Sequence, residues 1–175
     1  MSRISRNARG LHELLNYRMG RLVSTASQPV VRLCEGSYGV SRREWGLLAV
    51  LGQEGELSPS ALATHMGLDR ARTSRVLQQL VRKHLVERRL LPGDRRQARV
   101  RLTTAGRDLY DALLPEVAEV NRQVLQVLTD AELEVLDELV VRLLARARQL
   151  GEHSEGPRAR RHLGGGRSHS EHSRD

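Results

Sequence analysis

Between Ser58 and Asp69 the chain carries three helix-boundary signals in twelve residues, which leaves little freedom in local structure. Ser58-Pro59 opens a helix: a hydroxyl cap, then proline at the first helical position, where a missing N–H is harmless. Gly67 is a natural left-handed stop. Asp69 caps a second helix, which periodicity extends over about 70–83. Two helices joined by so tight a turn form a helix-turn-helix. Behind them, Val86–Leu91 and Ala98–Leu102 largely alternate apolar with polar residues, the signature of two strands. Pro92–Gln97 reads as the tip between them. A hairpin directly after a helix-turn-helix is a wing.

The flanks read as long helices. Leu11, Leu14, Leu15, Met19, Leu22 and Ala26 share one arc of a helix predicted over 11–34, which Pro29 kinks or ends. Residues 35–39 read as a loop. Ser41, with Glu44 three positions on, opens a helix that carries Trp45, Leu47, Leu48, Val50 and Leu51 and stops at 52–55. Thr103 or Thr104 starts a helix to about Leu128, kinked at Pro115. Thr129 and Glu132 form a capping box ahead of a last helix, with Leu133, Leu136, Leu139, Val140, Leu143, Leu144 and Ala147 on one face. These stripes exceed what a small wing domain covers, so a homodimer is expected. The predicted fold class is mainly α with a small β-hairpin wing. A winged helix-turn-helix domain, 41–103, is flanked by dimerisation helices over 10–35 and 104–151. Residues 1–9 are expected to be flexible, and the Gly/Ser/Arg/His-rich tail, 152–175, disordered.

Several classes of function fall away. No apolar run approaches the roughly 20 residues of a membrane-spanning helix. The N-terminus lacks the apolar core of a signal peptide, so a cytoplasmic, nucleoid-associated protein is expected. One cysteine, Cys34, precludes an intrachain disulfide and a Cys-based zinc site. Four of the seven histidines lie in the tail, where solvation is a better reading than metal binding. No nucleophile–base set, phosphate-cradling loop or metal spacing is present, and Gly164–Gly166 has no strand or helix around it. No cofactor and no enzymatic activity are expected.

The net charge of +8 is concentrated rather than spread. Residues 69–101 hold eleven basic and three acidic side chains, and the rest of the chain is neutral. That concentration points to a polyanion. Single-strand and RNA modules stack bases on aromatic side chains, and this segment has none. Double-stranded DNA is the better partner. On the 70–83 helix, Ala71, Arg72, Arg75, Gln78 and Gln79 lie opposite the apolar arc. Arg and Gln are suited to base edges in the major groove, and Ala71 permits close approach. Arg70 and Ser74 flank them, placed for phosphates. In the wing, Arg95 and Arg96 belong to the tip and Arg99 to a strand face. A tip arginine suits a narrow minor groove.

The segments Ser58-Pro-Ser-Ala-Leu-Ala, Leu68–Arg89 and Asp94–Gly106 together resemble the MarR family of winged helix-turn-helix regulators. The Asp-x-Arg wing followed by Leu102-Thr-x-x-Gly106 carries most of that resemblance, which spans about residues 10–150. His84 departs from it, since the family commonly has glycine there. The resemblance implies an obligate homodimer on a pseudopalindromic operator, usually a repressor of a catabolic or resistance operon. It also implies release by a small molecule, often a phenol or an aromatic carboxylate.

Arg18 lies within the apolar arc of the first helix and suits either a neighbouring carboxylate or a ligand carboxylate. With the family resemblance, it points to an effector of the benzoate, salicylate or nicotinate type. Trp45 suits the core or a stacked aromatic ligand. Tyr38, Arg43 and His12 are further candidates. Cys34 offers an alternative, a one-cysteine redox sensor, but a packed, unreactive thiol is the simpler reading. A low-specificity architectural DNA-binding protein is the other alternative.

Overall fold

The boundary signals each have a hydrogen bond behind them. The computed structural model describes residues 4–91 and 94–152, with the backbone alone at 90, 91, 94–97 and 152. Four helices precede the hairpin: α1 (Leu15–Ser37), α2 (Arg42–Glu54), α3 (Pro59–Met66) and α4 (Arg70–Arg82). Strands β1 (Val86–Leu91) and β2 (Asp94–Leu102) follow, then α5 (Thr104–Leu125) and α6 (Asp130–Glu152). Ser41 and Glu44 close a reciprocal capping box on α2. Ser58 Oγ accepts from Ala61 N at 3.1 Å, and Asp69 Oδ1 from Arg72 N at 2.8 Å. Gly67, at φ +59°, ends α3 in the left-handed conformation that glycine adopts without strain.

Several boundaries differ from expectation. Residues 11–13 form a single 3-10 turn and α1 starts only at Leu15. Pro29 does not end α1, which continues through Ser37. The loop expected over 35–39 therefore begins at Tyr38, because Glu35-Gly36-Ser37 has no apolar periodicity to reveal a final turn. Strand β2 reaches back to Asp94 instead of starting at Ala98. Pairing runs regularly from Val86↔Leu102 to Leu90↔Ala98, then jumps to Leu91↔Asp94. Residues 95–97 are thus an excursion within the strand, not part of a wide tip. A run with one apolar residue in five gives no alternation to read. Helix α5 ends at Leu125, three residues short of the expected Leu128.

Residues up to Val127 form one compact unit, and those from Leu128 a second. In the first, Leu47, Leu48 and Leu51 of α2 pack with Leu62, Val76, Leu77 and Leu80 of the helix-turn-helix. Val86 and Val100 at the wing base, Cys34 of α1 and Leu113 of α5 close the core. Each leucine so buried contributes about 1.5–3 kcal/mol. Leu57 bridges Val100 through two backbone hydrogen bonds of 2.8 and 3.0 Å, tying the approach to α3 to the wing.

The end of α4 is built in an unusual way. His84 takes φ +56°, the only non-glycine positive φ among the described residues. Its N–H reaches Val81 O at 3.0 Å and Leu85 N–H reaches Leu80 O at 3.0 Å, a Schellman ending made without glycine. Thr103 then binds this corner to α5: its N–H donates to Leu85 O at 3.1 Å and its hydroxyl to His84 O at 2.7 Å. The same hydroxyl accepts from Gly106 N at 3.0 Å, capping α5. A Cβ at Gly106 would lie 1.9 Å from Leu85 O, so the close approach of α5 to this corner requires glycine.

In the second unit, Thr129 and Glu132 form the expected capping box on α6, with Glu132 Oε2 accepting from Thr129 N at 2.8 Å. Leu136, Leu139, Leu143 and Leu144 on this helix are exposed, as are Leu11, Leu14, Met19 and Leu22 around the start of α1 in the first unit. The expected disorder of 152–175 concerns residues beyond the described ones, apart from the Glu152 backbone, and the three residues before Ile4 lie outside them too. Ser5 N–H bonds Glu13 O, and Arg9 N–H bonds the Glu13 carboxylate, so residues 5–9 are tied to the 3-10 turn.

Candidate nucleic-acid interface

At about 100° per residue, α4 divides into an inner arc, a centre and two flanks. Thr73, Val76, Leu77 and Leu80 are buried. Ala71, Gln78 and Arg82 lie at the centre of the exposed arc. Arg70 and Ser74 flank it on one side, and Arg72, Arg75 and Gln79 on the other. All eight of these outward residues are exposed. Thr73 Oγ1 donates to Asp69 O at 3.0 Å, which frees the buried side of the first turn from unpaired hydroxyls. Arg72 Nε lies 3.3 Å from Asp69 Oδ2, an exposed pair of little energetic weight that does not prevent the guanidinium from reaching outward.

Each flank opens onto a cleft. On the wing side, Arg70 and Ser74 share a cavity of about 580 Å³ with Ser58, Ser60, Arg88 and Arg99. On the other side, Arg72, Arg75 and Gln79 share a cavity of about 530 Å³ with Glu35, Arg42 and Arg43. The hairpin is strongly basic at its surface: Arg89 pairs directly opposite Arg99, and Arg101 opposite Glu87. Glu87 ion-pairs with Arg101 and, more loosely at 3.9 Å, with Arg89, so one carboxylate offsets part of the charge of the cross-strand Arg89–Arg99 pair. The side chains of Arg95 and Arg96, expected at the wing tip, lie outside the described residues, as do Pro92 and Gly93.

Helix α4 is braced at its far end. Lys83 Nζ donates to Gly39 O at 2.8 Å and to Glu44 Oε2 at 2.9 Å. Glu44 is 2% exposed. Burial raises its pKa, but the Ser41 N–H and the Lys83 ammonium outweigh that and hold it below the usual carboxylate value. The brace joins the C-terminus of α4 to the start of α2. Sequence reading missed this pairing because the capping box already accounted for Glu44.

The five proposed effector residues have different surroundings. His12 packs edge-on to Tyr17, with ring centroids 5.2 Å apart. Arg18 is exposed on α1. Tyr38 donates a hydrogen bond to Glu116 of α5, which pushes its pKa up. Trp45 is buried and stacks on Tyr110 of α5 at 5.9 Å. Arg43 lies in the cleft with Arg72 and Arg75. Tyr110, which sequence reading did not single out, also carries the Arg107 guanidinium over its ring at 5.3 Å. Arg107 in turn donates to Gly52 O at 2.9 Å, so α5 holds the end of α2. Cys34 is fully buried. Burial first, and then the Glu35 carboxylate, push its pKa up, against the thiolate character that a redox sensor needs.

A family model described as the MarR family matches residues 38–97. The HTH-type transcriptional regulator YdgJ of Bacillus subtilis is 31% identical over 109 residues, covering 62% of this chain and 66% of YdgJ. A putative transcriptional regulatory protein for the hcr operon of Thauera aromatica is 30% identical over 129 residues, covering 74% of this chain and 78% of that protein. The chain belongs to the MarR family. A solved MarR-family regulator from Silicibacter pomeroyi shares the fold with a TM-score of 0.68 at 28% identity, covering 78% of this chain and 92% of that one. This MarR-family chain is a DNA-binding transcription regulator with a winged helix-turn-helix. Among the described residues no helix is long and apolar enough to cross a membrane.

Proposed function

We propose that the chain acts as a homodimeric repressor that binds a pseudopalindromic operator and is released by a small aromatic or heteroaromatic acid. The observation that carries the DNA reading is the exposed arc of α4, with Arg72, Arg75, Gln78 and Gln79 outward and a basic cleft on either side. The exposed apolar residues of α1 and α6 favour a second copy as their cover. The curated relatives are regulators, and the reading for this chain is a cytoplasmic regulator, not an enzyme.

Release follows from the corner at Leu85. Because Thr103 and Gly106 of α5 hold the end of α4, an effector favouring a displaced α5 also favours a displaced recognition helix. Its effect is bounded by its differential affinity for the two arrangements. Arg18, exposed among the apolar residues of α1, suits the effector's carboxylate.

Two measurements test this reading. With a duplex from the region upstream of its own gene, Arg75→Ala should relax base preference at a cost of about 1–3 kcal/mol. Arg96→Ala should weaken binding across most sequences and flatten the salt slope by about 1.8, about 0.9 for each of the dimer's two wings. Unchanged binding in a triple Arg72/Arg75/Arg96→Ala variant refutes the interface, and equal affinity for unrelated duplexes makes the protein architectural instead. For the effector, benzoate, salicylate or nicotinate should raise the melting temperature of the wild type but not of Arg18→Ala. If the shift persists in the variant, Arg18 is not the carboxylate site.

A further inference from the structure

A helix lying in the major groove, about 12 Å wide, faces a phosphate backbone on both sides. On the wing side of α4 that wall meets Arg70, Arg88 and Arg99. The other wall has no wing. The residues that take its place come from a part of the chain that charge counting left out: Arg42 and Arg43, on the first turn of α2.

These two arginines line a single cleft of about 530 Å³ with Arg72 and Arg75. Four arginines line it, against one acidic residue, Glu35. Arg72 has its pair with Asp69, whereas Arg42, Arg43 and Arg75 form no ion pair with another described residue. Arg42, Arg43, Arg72 and Arg75 are all exposed. Like charges brought together at the surface repel, and the arrangement is relieved by an anion between them. The cleft also has fixed walls. Lys83 and Glu44 lock the C-terminal end of α4 to the start of α2, so the two arginine pairs keep their spacing when the ligand arrives.

We propose that Arg42 and Arg43 grip the phosphodiester backbone on the side of the recognition helix away from the wing, with Arg72 and Arg75 turned to the same strand. This assigns Arg43 to DNA and away from the effector, and adds Arg42 to the interface. It rests on the reading of α4 as a major-groove helix. Contacts of this kind position the protein and carry no base information.

The test uses the full-length protein and fluorescence anisotropy on two labelled duplexes, one from the region upstream of its own gene and one of unrelated sequence. In Arg42→Ala/Arg43→Ala, affinity should fall roughly tenfold or more on both duplexes by the same factor. The slope of log K against log salt should flatten by about 3.6, since each neutralised phosphate contributes about 0.9 and the dimer carries four of these arginines. Arg42→Lys/Arg43→Lys keeps both charges and should retain most of the slope, which separates loss of charge from damage to the fold. An unchanged slope and affinity in the alanine variant overturn the proposal. So does a loss confined to one sequence, which would mean base readout. If Arg72→Ala/Arg75→Ala abolishes base preference while the Arg42/Arg43 variant behaves as wild type, the α4 reading stands and this inference alone fails. If wild type binds neither duplex, both fall.

Discussion

Gly106→Ala is expected to destabilise the protein by about 3 kcal/mol or more, the upper part of the range for overpacking. The added methyl would sit 1.9 Å from Leu85 O and 2.9 Å from Leu85 C, and neither is a side chain that can swing away. Leu85 is fixed by its own N–H to Leu80 O and by its carbonyl to Thr103 N. Relief requires α5 to withdraw from the end of the recognition helix, which breaks the Thr103 corner. A melting experiment should show a fall of roughly 10 °C. Gly36→Ala is the control: it lies in the last turn of α1 with nothing within 4 Å of the new methyl, and should be neutral or stabilising by up to about 1 kcal/mol. Similar melting curves for the two variants would refute the tight approach of α5 to Leu85.

Lys83→Met is expected to cost about 2 kcal/mol at neutral pH. Breaking a buried pair leaves an uncompensated charge, commonly a loss of about 3–5 kcal/mol. The Lys83 side chain is 39% exposed, so water screens part of that here. The pH dependence gives a sharper readout. In the wild type the Glu44 pKa is depressed, so its stabilisation is present above the ordinary carboxylate value and is lost as pH falls through the depressed one. Without Lys83, the upward push of burial meets less opposition and the folded-state pKa rises. Protonation then removes the penalty. The stability gap between wild type and variant should be widest near neutrality and shrink as pH falls through the interval from the variant's raised Glu44 pKa to the wild type's depressed one. Urea titrations at both ends of that interval decide it, and a constant gap would mean that Lys83 acts by packing alone.

How much of this was legible from the residues depends on the range of each interaction. Ser41 with Glu44, Ser58 with Pro59, Asp69, and Thr129 with Glu132 act over three residues, and all were readable as helix starts. The outward arc of α4 was readable for the same reason, since one helical period fixes which side chains share a face. Lys83 and Glu44 are 39 positions apart, and nothing local marks either as the other's partner. The path of β2 through 94–97 was hidden because those residues are all polar. Arg42 and Arg43 fell outside the basic segment, and only folding brings them beside Arg72 and Arg75. Gly106 was visible as part of a motif, but its reason, the carbonyl of Leu85, is a tertiary contact.

Trp45, the only tryptophan in the chain, is wedged between the helix that supports the DNA-reading pair and the helix that holds it in place. Its indole rests on Tyr110, which also carries the Arg107 guanidinium over its ring. The protein therefore has a native fluorophore, with no competing emitter of its kind, at the junction of α2 and α5. Its emission wavelength and quenching report the state of that joint directly, with neither a label nor DNA present.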